Sequence, residues 1–366
     1  MLSLSSRLAL ATALTAAFVF PASAQERVVN IYNWSDYIDE EVLEDFTKET
    51  GIRVVYDVFD TNELLETKLL SGASGYDVVV PSAEFLARQI QAGVFQELDK
   101  GKLPNISNMW DKIEQKIEPY DPGNAYSVNY MFGTTGIGYN VDKVAERLGD
   151  DAPVDSWSLV FDPANIEKLA DCGVHFLDAP SEMIPAALNY LGLDPTSTDT
   201  ADLEKAGELL LSVRPSVQKF HSSEYVQALA NGDICVAIGF SGDIFQSRDA
   251  ADEADNGVVI AYSIPSQGAQ LWFDQMAIPA DAPNAEEAYE FVNYMMKPEA
   301  IAKATNYVYY ANGNKASQEL LEEDLIGDPS VYPDAETEAK LFTKLPYDQR
   351  TQRVVTRLWQ RVTTGS

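Results

Sequence analysis

Short apolar segments that predict β-strands alternate along this chain with segments of helical periodicity, and this alternation restricts the possible folds most. Three early segments read as strands: Val28–Tyr32, Arg53–Phe59 and Asp77–Val80. Between them, Val42, Leu43 and Phe46 repeat at helical spacing before Gly51, a good residue for a helix C-terminus. Strands alternating with helices predict an α/β fold with a parallel sheet between helices.

Two further helices belong to this first block. Asn62–Leu70 predicts a helix with the leucines at 64, 65, 69 and 70 on one side. Ser82 is suited to cap a helix that ends near Gly93. The first block is therefore predicted to consist of three strands, each followed by a helix.

The same alternation restarts in the second half of the chain. Strands are predicted at Val174–Leu177 and Ile234–Ile238, and helices at about Glu182 to Leu191, at Thr200–Val213, from a Ser223 cap to Gly232, and from Asp243 onward. A glycine-rich stretch around Gly133, Gly136 and Gly138 joins the two blocks. A length of 366 residues also fits about two domains.

The first residues have the pattern of a secretory signal peptide. Arg7 precedes an apolar run from Leu8 to Phe20, and small residues at 22–24 follow Pro21. We predict cleavage after Ala24, which makes residues 1–24 the signal peptide. The run is short for a bilayer span, and no Cys near the cut suggests a lipid anchor. We expect an exported protein, periplasmic in a host with two membranes.

The charge balance restricts the binding partners. The chain has 26 Lys and Arg against 57 Asp and Glu, a net charge of −31 at pH 7. Nucleic acids and anionic bilayers repel such a surface, so we expect no nucleic-acid partner. A cationic ligand would suit it, but a negative surface that only maintains solubility explains the charge equally simply.

The two cysteines, Cys172 and Cys235, are best explained as a disulfide, because export takes them to a compartment where disulfides persist. Free thiols remain the alternative. Neither Cys lies in a CxxC motif or near a His, which disfavours a metal or nucleophile role.

Catalytic motifs are absent from the sequence. Its only histidines are His175, inside an apolar strand, and His221, beside two serines. We expect His175 to pack in the core and His221 to join a hydrogen-bond network. No HExxH, GxSxG or GxxxxGK[ST] motif occurs, so no enzyme class is indicated.

Aromatic residues recur beside carboxylates and hydroxyls where strands are predicted to end, and ligands of open α/β sheets bind at such ends. The segments are Trp34–Tyr37, Ser82, Glu182, Phe240–Asp243, Trp272–Asp274 and Tyr309–Tyr310. Carboxylates attract an alkylammonium by about 4 kcal/mol at 4 Å in an effective dielectric near 20. Aromatic faces add roughly 2 kcal/mol for a desolvated cation. This combination predicts a site for a flexible oligoamine.

Several motifs resemble those of the periplasmic polyamine-binding proteins. They are residues 31–37 (IYNWSDY), 54–60 (VVYDVFD), 135–140 (TGIGYN) and 230–239 (ANGDICVAIG). The resemblance covers nearly the whole mature chain and is greatest for the putrescine-binding branch, including its spermidine-preferring relatives.

The resemblance implies a two-lobed periplasmic-binding-protein fold, each lobe a sheet flanked by helices, with a ligand cleft between them. The first lobe should hold residues 26–135 and 259–304, and the second 136–258 and 305–366. Both cysteines fall in the second lobe, where relatives carry a disulfide. A monomer without cofactor or metal is expected to deliver putrescine or spermidine to an inner-membrane ABC permease.

The resemblance also assigns ligand-contacting positions one at a time. They are Trp34, Ser35, Asp36, Tyr37, Ser82, Glu182, Ser223, Phe240, Asp243, Trp272, Asp274 and Tyr310. Phe240 stands where the putrescine binder that the chain resembles has Trp, and Trp272 where it has Phe. Trp at the latter position is associated with spermidine preference, so we predict that spermidine binds at least as tightly as putrescine.

Three other functions remain open from the sequence. Tyr309 and Tyr310 resemble the tyrosine pair of ferric-ion-binding relatives, although Tyr309 can also simply pack inside a lobe. An exported hydrolase is the alternative from another class, opposed by the lack of a nucleophile–base motif. A sensor role for the same site is a third.

Overall fold

The computed structural model describes residues 26–365, so the predicted signal peptide and its cleavage site lie outside the described part. The strands are β1 (Val28–Trp34), β2 (Arg53–Phe59), β3 (Val78–Val79), β4 (Ser127–Asn140), β5 (Val174–Phe176), β6 (Lys219–Phe220), β7 (Val236–Phe240), β8 (Ile260–Ser263), β9 (Ala269–Ala277) and β10 (Leu341–Phe342).

Helices cover most of the intervening chain. They are α1 (Glu40–Thr50), α2 (Asn62–Leu70), α3 (Ala83–Gln91), α4 (Asp111–Ile117), α5 (Val141–Leu148), α6 (Ser158–Phe161), α7 (Pro163–Leu169), α8 (Pro180–Tyr190), α9 (Thr200–Val213), α10 (Tyr225–Ala230), α11 (Ser241–Glu253), α12 (Ala285–Met295), α13 (Pro298–Val308), α14 (Glu323–Ile326), α15 (Ala335–Glu338) and α16 (Gln349–Thr364). Short 3₁₀ turns lie at Lys100–Lys102, Pro104–Asn108, Pro122–Asn124, Ala170–Cys172, Arg214–Ser216 and Lys315–Leu320.

The strands form a mixed sheet in the order β2-β1-β3-β9-β4-β7-β5-β6. β1 is parallel to β2 and β3, and β5 is parallel to β6 and β7, as the strand–helix alternation predicted. β9 runs antiparallel to β3 and β4, and β4 runs antiparallel to β7, so the sheet is not parallel throughout. The α/β class predicted from the sequence is confirmed.

β4 is the strand that both halves of the sheet share. Its residues 127–134 pair with β9, and residues 135–140 pair with β7 and β8. The pairing changes partner between Thr134 and Thr135, inside the glycine-rich stretch predicted to join the two blocks.

The two largest apolar clusters of the described residues lie on the two sides of this change. The first lobe, as we use the term, packs around β1–β3, β9 and α12–α13, with Phe46, Val78 and Val292 buried. The second lobe packs around β5–β7, α5–α11 and α16, with Trp157 and Leu358 among its buried residues. This arrangement agrees with the two-lobed fold implied by the resemblance.

The contacts differ from two of the predicted lobe boundaries. β8 was assigned to the first lobe within 259–304, but it pairs with the second-lobe half of β4. All of 305–366 was assigned to the second lobe, yet Gly313 accepts a hydrogen bond from the backbone N–H of Trp110, and β10 pairs with β9 of the first lobe. Tyr347 and α16 pack into the second-lobe core, with α16 against α9.

Local capping explains several helix ends. Asp39 accepts from the N–H of Glu41, Thr61 accepts from Leu64, and Gly51 ends α1 in the left-handed conformation. Ser82 and Ser223 make no side-chain cap, contrary to prediction: Ser82 Oγ is used elsewhere, and α10 begins after Glu224.

The prediction that four leucines share one apolar side of α2 is only half correct. Leu65 and Leu69 are buried, whereas Leu64 and Leu70 are 50% and 58% exposed. The buried pair is four residues apart and therefore shares one face of the helix.

Cys172 and Cys235 form the predicted disulfide, with Cα atoms 5.6 Å apart in the second lobe. His175 is buried in β5, as predicted. Among residues 26–365, no helix combines the length and apolar character needed to cross a membrane.

Candidate functional site

A cavity of about 80 Å³ lies between the lobes. One water needs roughly 10–15 Å³, so the cavity has room for a small organic molecule. Its lining is Trp34, Ser35, Tyr37, Phe59, Asp60, Thr61, Asn62, Glu63, Ser82, Ala179, Ser181, Glu182, Ser222, Ser223, Phe240, Asp243, Trp272, Asp274 and Tyr310.

Asp274, on β9, is the buried carboxylate of the first lobe. Tyr37 donates its hydroxyl to Oδ2 at 2.9 Å, and Ser82 donates to Oδ1 at 2.6 Å. A bridge between Ser82 and Asp274 brings the end of β3 beside β9, and Asn62 donates to Ser82 Oγ at 3.0 Å. Hydroxyl groups, not cations, therefore hold this carboxylate in place.

Asp243, in the first turn of α11, is held in the same way. Tyr225 donates to Oδ2 and Tyr310 to Oδ1, both at 2.6 Å. Tyr225 belongs to the second lobe, whereas Tyr310 follows α13 of the first, so this carboxylate joins the two lobes.

Glu182, in the first turn of α8, is the third buried carboxylate. Thr135 donates to its Oε2 at 2.7 Å and Gln270 to its Oε1 at 2.8 Å. Its two partners lie on β4, where the pairing changes, and at the start of β9.

Burial raises the pKa of all three groups. The pKa of Asp274 rises to about 7, that of Glu182 to about 7 and that of Asp243 to about 6. Hydroxyl donors oppose the shifts of Asp274 and Asp243 only in part. The charge of Asp243 further raises the pKa of Asp274, and the charge of Asp36 further raises that of Asp243. An incoming cation would offset the desolvation that disfavours their ionised forms.

Aromatic rings form the walls around these carboxylates. Trp272 contacts Phe240 and Tyr310, with ring centroids 5.6 and 5.4 Å apart. On the other side, Trp34 lies 4.6 Å from Phe59 and donates its indole N–H to Val80. The hydrogen bond fixes the orientation of the Trp34 ring toward the cavity.

Two glycines make room for these rings. A Cβ at Gly133 would lie 2.7 Å from Trp272 Cζ2, and one at Gly242 would lie 2.4 Å from Tyr310 Cδ2. Neither distance is compatible with a real side chain, so these positions need glycine for close packing.

Eleven of the twelve predicted site residues line the cavity, and Asp36 does not. Asp36 is exposed with a φ of 51° and lies beside a surface groove together with Arg53 and Tyr56. Its charge is still near enough to contribute to the raised pKa of Asp243.

Five lining residues from the end of β2 to the first turn of α2 were not predicted from the sequence, namely Phe59, Asp60, Thr61, Asn62 and Glu63. The rule that directed attention to strand ends applies to the end of β2 as well, so this signal was available. Thr135, Gln270 and Tyr225, which hold carboxylates from outside the lining, carried no local signal.

Neither histidine lines the cavity among the described residues. His221 Nδ1 accepts the backbone N–H groups of Ser223 and Glu224, the network expected of it. Ser223 Oγ lies 3.4 Å from His221 Nδ1, but that nitrogen already accepts the two backbone N–H groups, so the pair is not arranged as a nucleophile and its base.

The geometry also disfavours ferric binding. Tyr310 points to Asp243, whereas Tyr309 lies beside Asp249 and packs with a different apolar cluster. The two phenols therefore do not converge, and within residues 26–365 no group of three His, Cys, Asp or Glu is arranged to hold a metal ion.

Comparison with known proteins places the chain in a family. Residues 41–333 match the model of the family described as bacterial extracellular solute-binding protein. The putrescine-binding periplasmic protein SpuD of Pseudomonas aeruginosa is 54% identical, over 94% of each chain. The putrescine-binding periplasmic protein PotF of Escherichia coli is 51% identical over 97% of this chain and 96% of the relative.

The fold has counterparts among solved structures. The spermidine/putrescine ABC transporter substrate-binding protein PotD of Streptococcus pneumoniae superposes with a TM-score of 0.76 at 30% identity, covering 93% of this chain and 99% of that one. Sequence and structure agree: the chain belongs to the bacterial extracellular solute-binding proteins.

Proposed function

We propose that this protein captures a polyamine, with putrescine as the favoured ligand, in the cavity between its lobes and delivers it to an ABC importer. One observation carries the proposal. The main cavity is lined by five carboxylates and six aromatic rings, and none of its lining residues among those described is Lys, Arg or His.

This lining is complementary to an alkyl diammonium ion. Asp274 and Asp243 are held by hydroxyl donors, and neither forms an ion pair with a Lys, Arg or His among residues 26–365. A unit charge at 4 Å contributes about 4 kcal/mol in an effective dielectric near 20, and a desolvated cation on a ring face roughly 2 kcal/mol. A ligand with an ammonium at each end of an apolar chain uses both features.

The relatives support the proposed ligand, the periplasmic location and the link to an ABC transporter. SpuD and PotF are named putrescine-binding and periplasmic, and the pneumococcal structure is named as an ABC transporter substrate-binding protein. The signal-peptide pattern before Ala24 fits export to the periplasm. We accordingly propose a periplasmic monomer that binds its ligand without turnover and docks on an inner-membrane permease.

The proposed ligand differs from the spermidine preference predicted from Trp272. The relatives at 54% and 51% identity are named for putrescine alone, whereas those named for both amines, such as that of Salmonella typhimurium at 33%, are less similar. Trp272 packs against Gly133 and two other rings, so its larger size is accommodated partly by the protein itself.

Isothermal titration calorimetry tests the proposal. The protein is titrated with putrescine, cadaverine, spermidine and spermine. Two controls have the same four-carbon chain as putrescine: 1,4-butanediol, which is uncharged, and n-butylamine, which carries one charge. We expect saturable binding of putrescine, much weaker binding of butylamine and none of butanediol. Absence of binding for every amine, or equal binding of butanediol, would overturn it. Recovery of unchanged putrescine after incubation checks that the protein does not turn it over.

A further inference from the structure

A second, smaller cavity continues from the main one. Both are lined by Asn62, Ser82, Ser181, Glu182 and Trp272. The extension reaches to Glu84, Tyr120 and Lys344, which do not line the main cavity. Glu182 therefore lies at the boundary between the two spaces.

Lys344 is the cation of this extension, and it is almost fully buried. Its side chain is 1% exposed and pairs with Glu84, whose side chain is 10% exposed. The ammonium also lies 4.2 Å from the ring centroid of Tyr347, and Tyr120 donates a hydrogen bond to the Lys344 carbonyl at 3.0 Å. The ion pair and the Tyr347 ring hold the ammonium, and the Tyr120 hydrogen bond holds the backbone at Lys344.

Glu182 connects the lysine to the main cavity. It lines both spaces, and the charge of Lys344 counteracts the burial that raises the Glu182 pKa, which shows that the two groups interact. The ammonium of Lys344 therefore already balances part of the negative charge of Glu182 and Glu84.

We infer that Lys344 limits the length of the amine that the site accepts, by holding a built-in ammonium where the third ammonium of a triamine would lie. This inference rests on the proposed function and narrows it to diamines. A diamine places its charges near Asp274 and Asp243 and stays in the main cavity. A triamine must extend toward Lys344, where like charges in a poorly hydrated space repel each other.

Four variants test the inference. Lys344→Met removes the ammonium and retains an apolar chain, but it leaves Glu84 buried without its partner, which destabilises a fold. The double variant Glu84→Gln/Lys344→Met removes both charges and avoids that problem. Lys344→Arg keeps the charge in place. Lys303→Met removes one positive charge from a surface ion pair with Glu41 and Asp45, so it controls for net charge.

The measurement is the ratio of spermidine to putrescine affinity, obtained by competitive titration, with thermal melts to confirm folding. We expect the ratio to rise at least tenfold in Glu84→Gln/Lys344→Met and in Lys344→Met if that variant folds. It should stay within about twofold in Lys344→Arg and Lys303→Met.

The outcomes separate this inference from the proposed function. If the wild type binds no amine, the proposed function fails. If it binds putrescine but the double variant leaves the ratio unchanged, the function stands and the role of Lys344 is refuted. If Lys303→Met raised the affinity ratio equally, the effect would be due to net charge, and the role of Lys344 would also be refuted.

Discussion

At the scale of single residues, the site depends on carboxylates that are buried with hydroxyl partners. Tyr37, Ser82, Tyr225 and Tyr310 donate to Asp274 and Asp243 but neutralise no charge. The hydrogen bonds fix the geometry of the oxygens, while the missing positive charge is left for a ligand to supply. The same residues that would attract a cation therefore disfavour the empty fold when they ionise.

Replacing Asp274 with Asn should weaken putrescine binding tens- to thousands-fold, because removing one partner of an enclosed charge pair costs about 2–5 kcal/mol. The amide keeps the size of the side chain, so circular dichroism should stay native. Calorimetry on this variant is compared with Asp171→Asn, which alters an exposed carboxylate paired with Arg147. Affinity within twofold of wild type for Asp274→Asn would remove this residue from the site.

Putrescine affinity should fall as the pH is lowered from 8 to 5.5, by at least tenfold. The pKa values of Asp274 and Glu182 are about 7 in the empty protein and that of Asp243 about 6, so acid neutralises the groups that pair with the ammoniums. Titrations at several pH values measure how steeply putrescine affinity depends on pH, and Asp274→Asn should make this dependence weaker. A flat profile would contradict the assignment.

The stability of the empty protein should change in the opposite direction. The pKa of each of these acids is higher in the folded protein than in the unfolded chain, where it is near 4. Their neutral forms therefore stabilise the fold at low pH. That contribution is lost as pH rises from about 4 through 7. The increase in melting temperature caused by putrescine should consequently be larger at pH 8 than at pH 5.5.

Trp272→Phe should lower the ratio of spermidine to putrescine affinity about tenfold, equivalent to 1.4 kcal/mol. An indole offers a larger face to an internal ammonium than a phenyl ring. Competitive titration of both amines against both proteins measures the ratio. An unchanged or increased ratio would place chain-length selection elsewhere, as at Lys344.

At the scale of elements, β4 does more than any other strand to build the site. Its first half pairs with β9, which carries Trp272 and Asp274, and its second half pairs with β7, which leads into Asp243. Thr135, at the change of partner, holds Glu182. One continuous strand thus fixes the relative positions of side chains from both lobes.

Gly133→Ala should displace Trp272, because the new Cβ would lie 2.7 Å from the indole and 2.9 Å from Ser241 Oγ. Overpacking of this kind costs about 1–3 kcal/mol, so we expect a lower melting temperature and weaker binding. Adding Trp272→Phe should restore part of both losses. If the double variant is no better than Gly133→Ala, the indole is not what the glycine accommodates.

At the scale of the whole molecule, the cavity draws its lining from both lobes, so occupancy should favour the closed arrangement. Small-angle scattering with and without saturating putrescine should show a smaller radius of gyration with the ligand. Asp274→Asn at the same amine concentration serves as the control. An unchanged radius on saturation would count against ligand-dependent closure.

The sequence by itself determined the elements and most of the chemistry. Arg53–Phe59, Asn62–Leu70 and Thr200–Val213 were predicted with the bounds that the structure has, because apolar periodicity and terminal residues are local signals. Of the eleven predicted site residues that line the cavity, ten belong to the strand-end segments that are visible locally, and Ser223 was assigned by the family resemblance.

Only the tertiary structure decided which distant residues meet. It paired β10 with β9 of the first lobe, placed Asp36 at the surface, and made Ser82, predicted as a helix cap, a donor to Asp274 across 192 residues. It also buried Lys344 beside Glu84, although nothing around Lys344 in the sequence distinguishes it from a surface lysine. Such contacts depend on how separate elements pack, and a local pattern carries no information about a partner that lies hundreds of residues away.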